Sequence, residues 1–239
     1  AAVQQDLLYI VTRFHTHQVA LTADIAKMYR QIKMDERDIN LQWILWRETP
    51  SHPVKIFQLK TVTYGTSAAS FLATRCLVQL AEEEANEFPR ASRILNTDFY
   101  VDDLLSGAET VEDAIQLREE LQELLGRGGF PLRKWYSSNL AVLETIPGEL
   151  RETQNLIRFD EKDNVKTLGL LWNPMCDEFQ FDVNVKECGD YYTKRKVLSI
   201  ISAIFYPLGL LGPVIITTKI FMQQLWQTKL DWDDLLPHP

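Results

Sequence analysis

The chain is short of the residues that staple a fold covalently or through a metal. It holds 3 cysteines, Cys76, Cys176 and Cys188, an odd count with no close pair of the zinc-binding kind. That excludes a disulfide framework and fits free thiols in a reducing compartment. The 4 histidines are scattered, and His15 and His17 read as surface or turn residues rather than ligands. No uninterrupted apolar run reaches the ~18 residues that a membrane span requires. The apolar stretch from Ala203 to Ile216 is broken by Pro207, Gly209, Gly212 and Pro213. The first residues, three small ones followed by Gln4, Gln5 and Asp6, do not read as a signal peptide. Basic charge is also in deficit. With 25 Lys and Arg against 33 Asp and Glu, the net charge is −8, which excludes a protein that holds nucleic acid by its overall field.

What is present is a hydrophobic content of 46% in 239 residues, sufficient for one large domain or two small ones with real cores. Charge is unevenly placed. Acids gather at Glu82-Glu83-Glu84, between Glu109 and Glu123, and at Asp231, Asp233 and Asp234; these read as solvated faces. Bases gather at Lys27/Arg30/Lys33, at Arg127/Arg133/Lys134 and at Lys194-Arg195-Lys196, where local strips are able to follow a phosphate backbone despite the acidic total.

Periodicity predicts an ordered series of elements. Leu7, Leu8, Ile10 and Val11 mark a short helix within 4–14, and Val19 to Ile25 a buried strand that ends at Asp24. Trp43–Trp46 and Lys55–Val62 read as paired strands around the Pro50–Pro53 turn. Leu72, Cys76 and Leu80 predict a helix over 67–88, followed by Pro89. Thr110 with Asp113 begins a helix that Gly128-Gly129 stops. Leu132 to Tyr136 is a short strand. Leu168, Leu170 and Trp172 then alternate against Phe179, Phe181 and Val183 as a second hairpin, and two helices follow over 194–205 and 213–228.

The most informative stretch is Tyr100-Val101-Asp102-Asp103, two adjacent carboxylates between short β-forming runs, which predicts a tight hairpin with both acids at its tip. A turn needs only one Asp for its side-chain hydrogen bond, and adjacent acids repel unless a hard cation takes their oxygens. The order strand, helix, hairpin, helix, strand over 19–136 fits a βαββαβ sheet. In that arrangement the end of the first strand lies beside the hairpin tip, bringing Asp24 close to Asp102.

These residues carry a resemblance. Leu21-Thr-Ala-Asp24-Ile-Ala-Lys-Met-Tyr29-Arg-Gln31-Ile32 resembles the first palm motif of reverse transcriptases, Val62-Thr-Tyr64-Gly65 to Ser70-Phe71 the second, and Phe99-Tyr-Val-Asp-Asp-Leu104 the third. Gly129-Phe-Pro-Leu-Arg-Lys134-Trp135 resembles the fourth, and Leu168-Gly-Leu-Leu-Trp172 the primer-grip hairpin. Taken in order, with Pro207-Leu-Gly209, Pro213, Gln224-Leu-Trp226 and Asp231-Trp-Asp233, they are most similar to the BEL/Pao class of LTR retrotransposon polyproteins. The similarity covers nearly the whole chain. Two positions depart from the family pattern: Ser70 stands where a proline is usual, with helix capping as one use for its hydroxyl, and Tyr206 stands where an Asp is usual.

The resemblance implies an α+β fold, a polymerase palm (a ferredoxin-like βαββαβ sheet with helices on one face) over 1–150. A primer-grip hairpin and connection over 151–190 and a thumb-like helical segment over 191–239 would follow. It implies RNA-directed DNA polymerase activity, a two-metal nucleotidyl transfer of dNTPs to a primer 3′-hydroxyl. Asp24, Asp102 and Asp103 would be catalytic and would hold two Mg²⁺ ions, or Mn²⁺ in their place, with the carbonyl of Ile25 as an extra ligand. Tyr29, Gly65, Tyr100 and Lys134 would meet the incoming nucleotide, Tyr29 under its sugar and Lys134 near its phosphates. Gly169 and Trp172 would position the primer, and Lys194, Arg195 and Lys196 would follow the duplex backbone. The implied partners are an RNA or DNA template with its primer, dNTPs, and the rest of the polyprotein: fingers, RNase H and integrase. The fingers region is expected before Ala1, and no RNase H, integrase or protease motif is read within the chain. No membrane partner is implied, and the compartment would be that of cytoplasmic retroelement particles.

Two other readings stand beside this one. A catalytically silent or domesticated fragment would bind only nucleic acid or a protein partner; the departures at Ser70 and Tyr206 favour it, and the intact acids oppose it. A two-metal nuclease would also use an acid cluster, but leaves Tyr29 and the primer-grip residues without a role.

Overall fold

The strand that carries Asp24 is nearly all apolar, Val19-Ala-Leu-Thr-Ala-Asp-Ile25, and its residues are buried except for Asp24 itself. Such a run is what a strand flanked on both sides requires. It forms β1 (Val19–Ile25), an inner strand of a four-stranded antiparallel sheet in the order β4-β5-β1-β6. The other strands are β4 (Phe99–Tyr100), β5 (Asp103–Ala108) and β6 (Leu132–Ser137). The structure, a computed structural model, describes residues 4–152, 165–167, 170–174, 177–180, 191–204, 208–209 and 211–236. It is mixed α and β, and the chain divides into two compact units, Ala1–Arg158 and Phe159–Pro239. The expected division into three segments thus meets two units, with the second hairpin and the last helices both in the second.

In the first unit α1 (Leu7–Phe14) precedes β1, and the single turn α2 (Met28–Gln31) follows it. A two-stranded ribbon, β2 (Trp43–Trp46) and β3 (Lys55–Gln58), pairs Trp43 with Gln58 and Trp46 with Lys55 and is exposed along its length. The strand expected to run to Val62 therefore ends at Gln58. Helices α3 (Ala69–Glu83) and α4 (Pro89–Thr97) then lead into the β4–β5 hairpin. The sequence reading stopped its helix at Pro89. The structure instead starts a new helix there, because proline's missing N–H is one of the first-turn donors that have no helical partner in any case.

Helix α5 (Val111–Arg127) begins as predicted: the Thr110 hydroxyl oxygen accepts from the Asp113 amide at 3.1 Å and donates to its carboxylate at 2.8 Å. Its stripe Ala114, Leu117, Leu121, Leu124 and Leu125 is fully buried and packs on β1, β5 and β6. Gly129, at φ +74°, takes the left-handed conformation that ends the helix and turns the chain into β6. Helix α6 (Leu140–Glu144) closes the unit against β6.

In the second unit β7 (Val165–Thr167), β8 (Leu170–Asn173) and β9 (Glu178–Gln180) form a three-stranded antiparallel sheet. The expected hairpin is its β8–β9 pair, to which β7 adds a strand not foreseen. Gly169, Tyr206 and the Phe181 and Val183 positions lie outside the described residues. Helices α7 (Lys194–Ser202) and α8 (Gly212–Gln227) pack on each other. No helix among the described residues is long and apolar enough to cross a membrane.

Candidate active site

Strand register brings the predicted acids together. Antiparallel pairing of β1 with β5 sets Asp24 directly opposite Asp103. Asp102, in the turn between β4 and β5, accepts the Ile25 amide on its backbone carbonyl at 2.8 Å. Tyr100 pairs with Asp103 across the hairpin. Asp24 and the distant Asp102-Asp103 pair thus share one end of the sheet.

Lys134 reaches the same place from the other side through a local irregularity. Between Thr22 and Asp24 the β1–β6 register shifts, so that one β1 residue faces two on β6. The extra residue re-aims the bulged strand. Lys134 sits in this bulge at φ +53°, and its ammonium donates to the Asp24 carboxylate at 3.0 Å. Two further non-glycine residues with positive φ border the acids: Val101 at +57°, between Tyr100 and Asp102, and Lys27 at +51°, at the turn into α2. A β-branched residue in this region is costly. Such strain persists where surrounding structure enforces it, often at functional sites.

The charge balance of the cluster is poor. Burial, then the charges of Asp102 and Asp24, push the Asp103 carboxyl up to about 7, against which Lys134 pulls only weakly. Burial is also the first cause raising Asp102, with Asp24 adding to it. The bond to Asp24 holds the Lys134 ammonium above its ordinary value. One cation therefore serves three acids, and that cation is bonded to one of them.

Oxygen donors of this kind are what Mg²⁺ and Mn²⁺ take, and a divalent ion would relieve the repulsion that lifts Asp103. As the side chains stand, no group of three or more His, Cys, Asp or Glu among the described residues is arranged to hold a metal ion. Asp24 faces Lys134 instead. The donor set fits such an ion in chemistry, and the Lys134 ammonium occupies one oxygen of Asp24 beside it.

Other predicted residues fall in varied settings. Tyr29, on α2, is half-buried, and its hydroxyl lies 3.2 Å from the Ser70 hydroxyl. Ser70 does not cap α3; that position belongs to Ala68, and no side chain bonds there. Gly65 adopts φ +87° with open space where a Cβ would stand, so backbone conformation accounts for it. Trp172 is fully buried, with its indole N–H donating to Asp177 at 2.9 Å. It stands in the middle strand of its sheet, paired with Val165 and Phe179.

The expected basic strip on α7 is corrected in part. Lys194 is 5% exposed, and its ammonium donates to the carbonyls of Thr228 and Leu230 at 3.1 and 2.8 Å. It ties the α7 start to the segment after α8 and is withdrawn from any strand. Arg195 forms a bidentate pair with Asp233, at 2.7 and 3.0 Å, on the surface. Lys196 lies over the Tyr191 ring at 3.4 Å. Sequence reasoning missed the Tyr29–Ser70 pair and the bulge that aims Lys134, since neither has a local signature.

Residues 193–239 match the model of a family described as Pao retrotransposon-like RNaseH-like domain. No curated protein matches the chain. The match supports a retrotransposon polyprotein of the BEL/Pao kind and a nucleic-acid-acting enzyme region. It also revises one expectation, because sequence assigned to an RNaseH-like family lies inside the segment read as thumb. The described residues of that segment form α7, α8 and a single bridge between Thr193 and Leu235.

Proposed function

We propose that this chain is the catalytic core of an RNA-directed DNA polymerase within a retrotransposon polyprotein, adding dNTPs to a primer 3′-hydroxyl on an RNA or DNA template. The observation that carries this reading is the register-enforced meeting of Asp24, Asp102 and Asp103 at one sheet end, under-compensated by Lys134. In it the Phe99–Tyr100 strand and the Asp103–Ala108 strand are the two arms of a polymerase-type hairpin, and the four-stranded sheet is a palm.

Asp24 and Asp102 would hold paired Mg²⁺ ions, with Asp103 and the Ile25 carbonyl assisting. When bound, these ions supply Lewis acidity for the primer hydroxyl and charge stabilisation for departing pyrophosphate. Asp103 must lose its proton for that binding, and its elevated position makes this a step near neutrality. Lys134, at the same sheet end, would donate a proton or a hydrogen bond to phosphate oxygen. Tyr29 stands just past the Asp24 strand, where its ring would lie under the sugar of the incoming nucleotide and exclude a 2′-hydroxyl.

A second reading has its own support. The match of residues 193–239 to an RNaseH-like family favours hydrolysis of an RNA strand by a two-metal site. One assay separates the two. The polyprotein segment carrying this chain, with its basic fingers region, is given end-labelled primer on RNA template, dNTPs and Mg²⁺, alongside Asp102→Asn. The polymerase reading expects extension that falls by on the order of 100-fold or more in the variant. Shortening of the RNA without extension supports hydrolysis, and neither product from the parent supports a binding-only fragment.

A further inference from the structure

The contact between Tyr29 and Ser70 is the place where the structure adds something that neither the motifs nor the family match assigns. Tyr29 sits on α2, a single turn, and isolated turns of this length do not hold themselves. Its base is fixed: Met28 is fully buried, and the Gln31 side-chain amide donates to the Ala26 carbonyl at 3.0 Å. Lys27, at φ +51°, sets the direction in which the turn leaves β1. The Tyr29 ring itself is only half-buried, so packing leaves its two side-chain torsions under-determined. At its tip the hydroxyl lies 3.2 Å from the Ser70 hydroxyl. Ser70 stands in the first turn of α3, a 15-residue helix whose Ala69, Ala73 and Leu77 are buried.

We infer that Ser70 is a positioning residue that sets sugar selectivity by holding the Tyr29 ring through this hydroxyl pair. The inference rests on the polymerase reading above. A ring that rejects one oxygen atom while accepting hydrogen in its place must be held to within ~0.5 Å. Tethering the ring to a long helix at the hydroxyl and to the anchored α2 turn at the Cα supplies that constraint. A proline at position 70 would be tolerated by the helix, since the first-turn amide has no helical partner, but would leave the Tyr29 hydroxyl without this anchor. The serine therefore does specific work that the helix start does not require.

The test uses the same polyprotein segment and measures kcat/KM for dTTP and UTP with the parent, Ser70→Ala, Ser70→Thr, Tyr29→Phe and the Ser70→Ala/Tyr29→Phe double variant. Ser70→Ala is expected to reduce the preference for dTTP by about 3- to 10-fold, the range of one net hydrogen bond, through improved use of UTP. Tyr29→Phe should match it, the double variant should be no worse than either, Ser70→Thr should retain the parent preference, and the unfolding midpoint should not move. A Ser70→Ala variant that keeps the parent preference overturns the inference while leaving the polymerase intact. A lost preference accompanied by lowered melting makes Ser70 a folding residue and also overturns it. A parent that extends no primer removes the polymerase reading, and the inference with it.

Discussion

Two acid sites, one buried and one half-buried, lie along the same hairpin, and they differ in how their charge is met. Asp98, at the entry to β4, is 3% exposed. It accepts from Arg13 at 2.6 Å, from the Ser106 hydroxyl at 2.6 Å and from the Thr97 hydroxyl at 2.8 Å. Arg13 also ties to the Thr97 carbonyl, so α1 is pinned to the hairpin. Asp103, at the other end of β5 from Ala108, has instead two further carboxylates as neighbours and shares a single lysine with them. Burial alone does not mark a functional acid. A buried charge that is paired and hydrogen-bonded holds elements together, whereas one left among like charges is poised to take a cation or a proton.

The comparison is broken most forcefully at Asp98. Asp98→Asn keeps the shape and removes the charge, leaving Arg13 unpaired and the buried Ser106 hydroxyl with a poorer partner. Chemical denaturation should register a loss of roughly 2–4 kcal/mol, and a change within experimental noise would make Asp98 no more structural than Asp103.

Asp103→Asn should act in the opposite sense. The Asp103 carboxyl is raised in the folded chain, so its favourable contribution is complete below the ordinary carboxylate range and is lost as pH rises from about 4 toward about 7. Asparagine resembles the protonated form and removes that loss. The variant is expected to melt above the parent at pH 8 and to converge with it toward pH 4. A variant that melts below the parent at both pH values would show that Asp103 is held by favourable partners.

Much of this geometry could be read from residue order, because its causes are local or periodic. Apolar and β-forming runs marked β1, β5 and β6, the Thr110–Asp113 pair marked the start of α5, and the adjacency of Asp102 and Asp103 marked the cluster. What escaped depends on contacts distant in sequence. The bulge that turns Lys134 toward Asp24 is set by the register of β1 against β6. Lys194 looks like a surface cation until the carbonyls of Thr228 and Leu230 are placed around it. The full burial of Trp172 and its bond to Asp177 are likewise not written in the local sequence. Pro89 was read as a stop because its position relative to a following helix, and not its identity, decides whether it ends or begins one. The Pao retrotransposon relationship of residues 193–239 was legible in Pro207-Leu-Gly209, Gln224-Leu-Trp226 and Asp231-Trp-Asp233, whereas the RNaseH-like description of that segment was not, since it carries no acid spacing of that chemistry.

The central claim, that the acids at this sheet end are left under-neutralised, is tested most directly by carboxyl ¹³C NMR titration of Asp103, without divalent ions and again with Mg²⁺. The account predicts an Asp103 midpoint of about 7 in the absence of metal, moving down when Mg²⁺ is added. An Asp103 midpoint in the ordinary carboxylate range that Mg²⁺ does not move would contradict it.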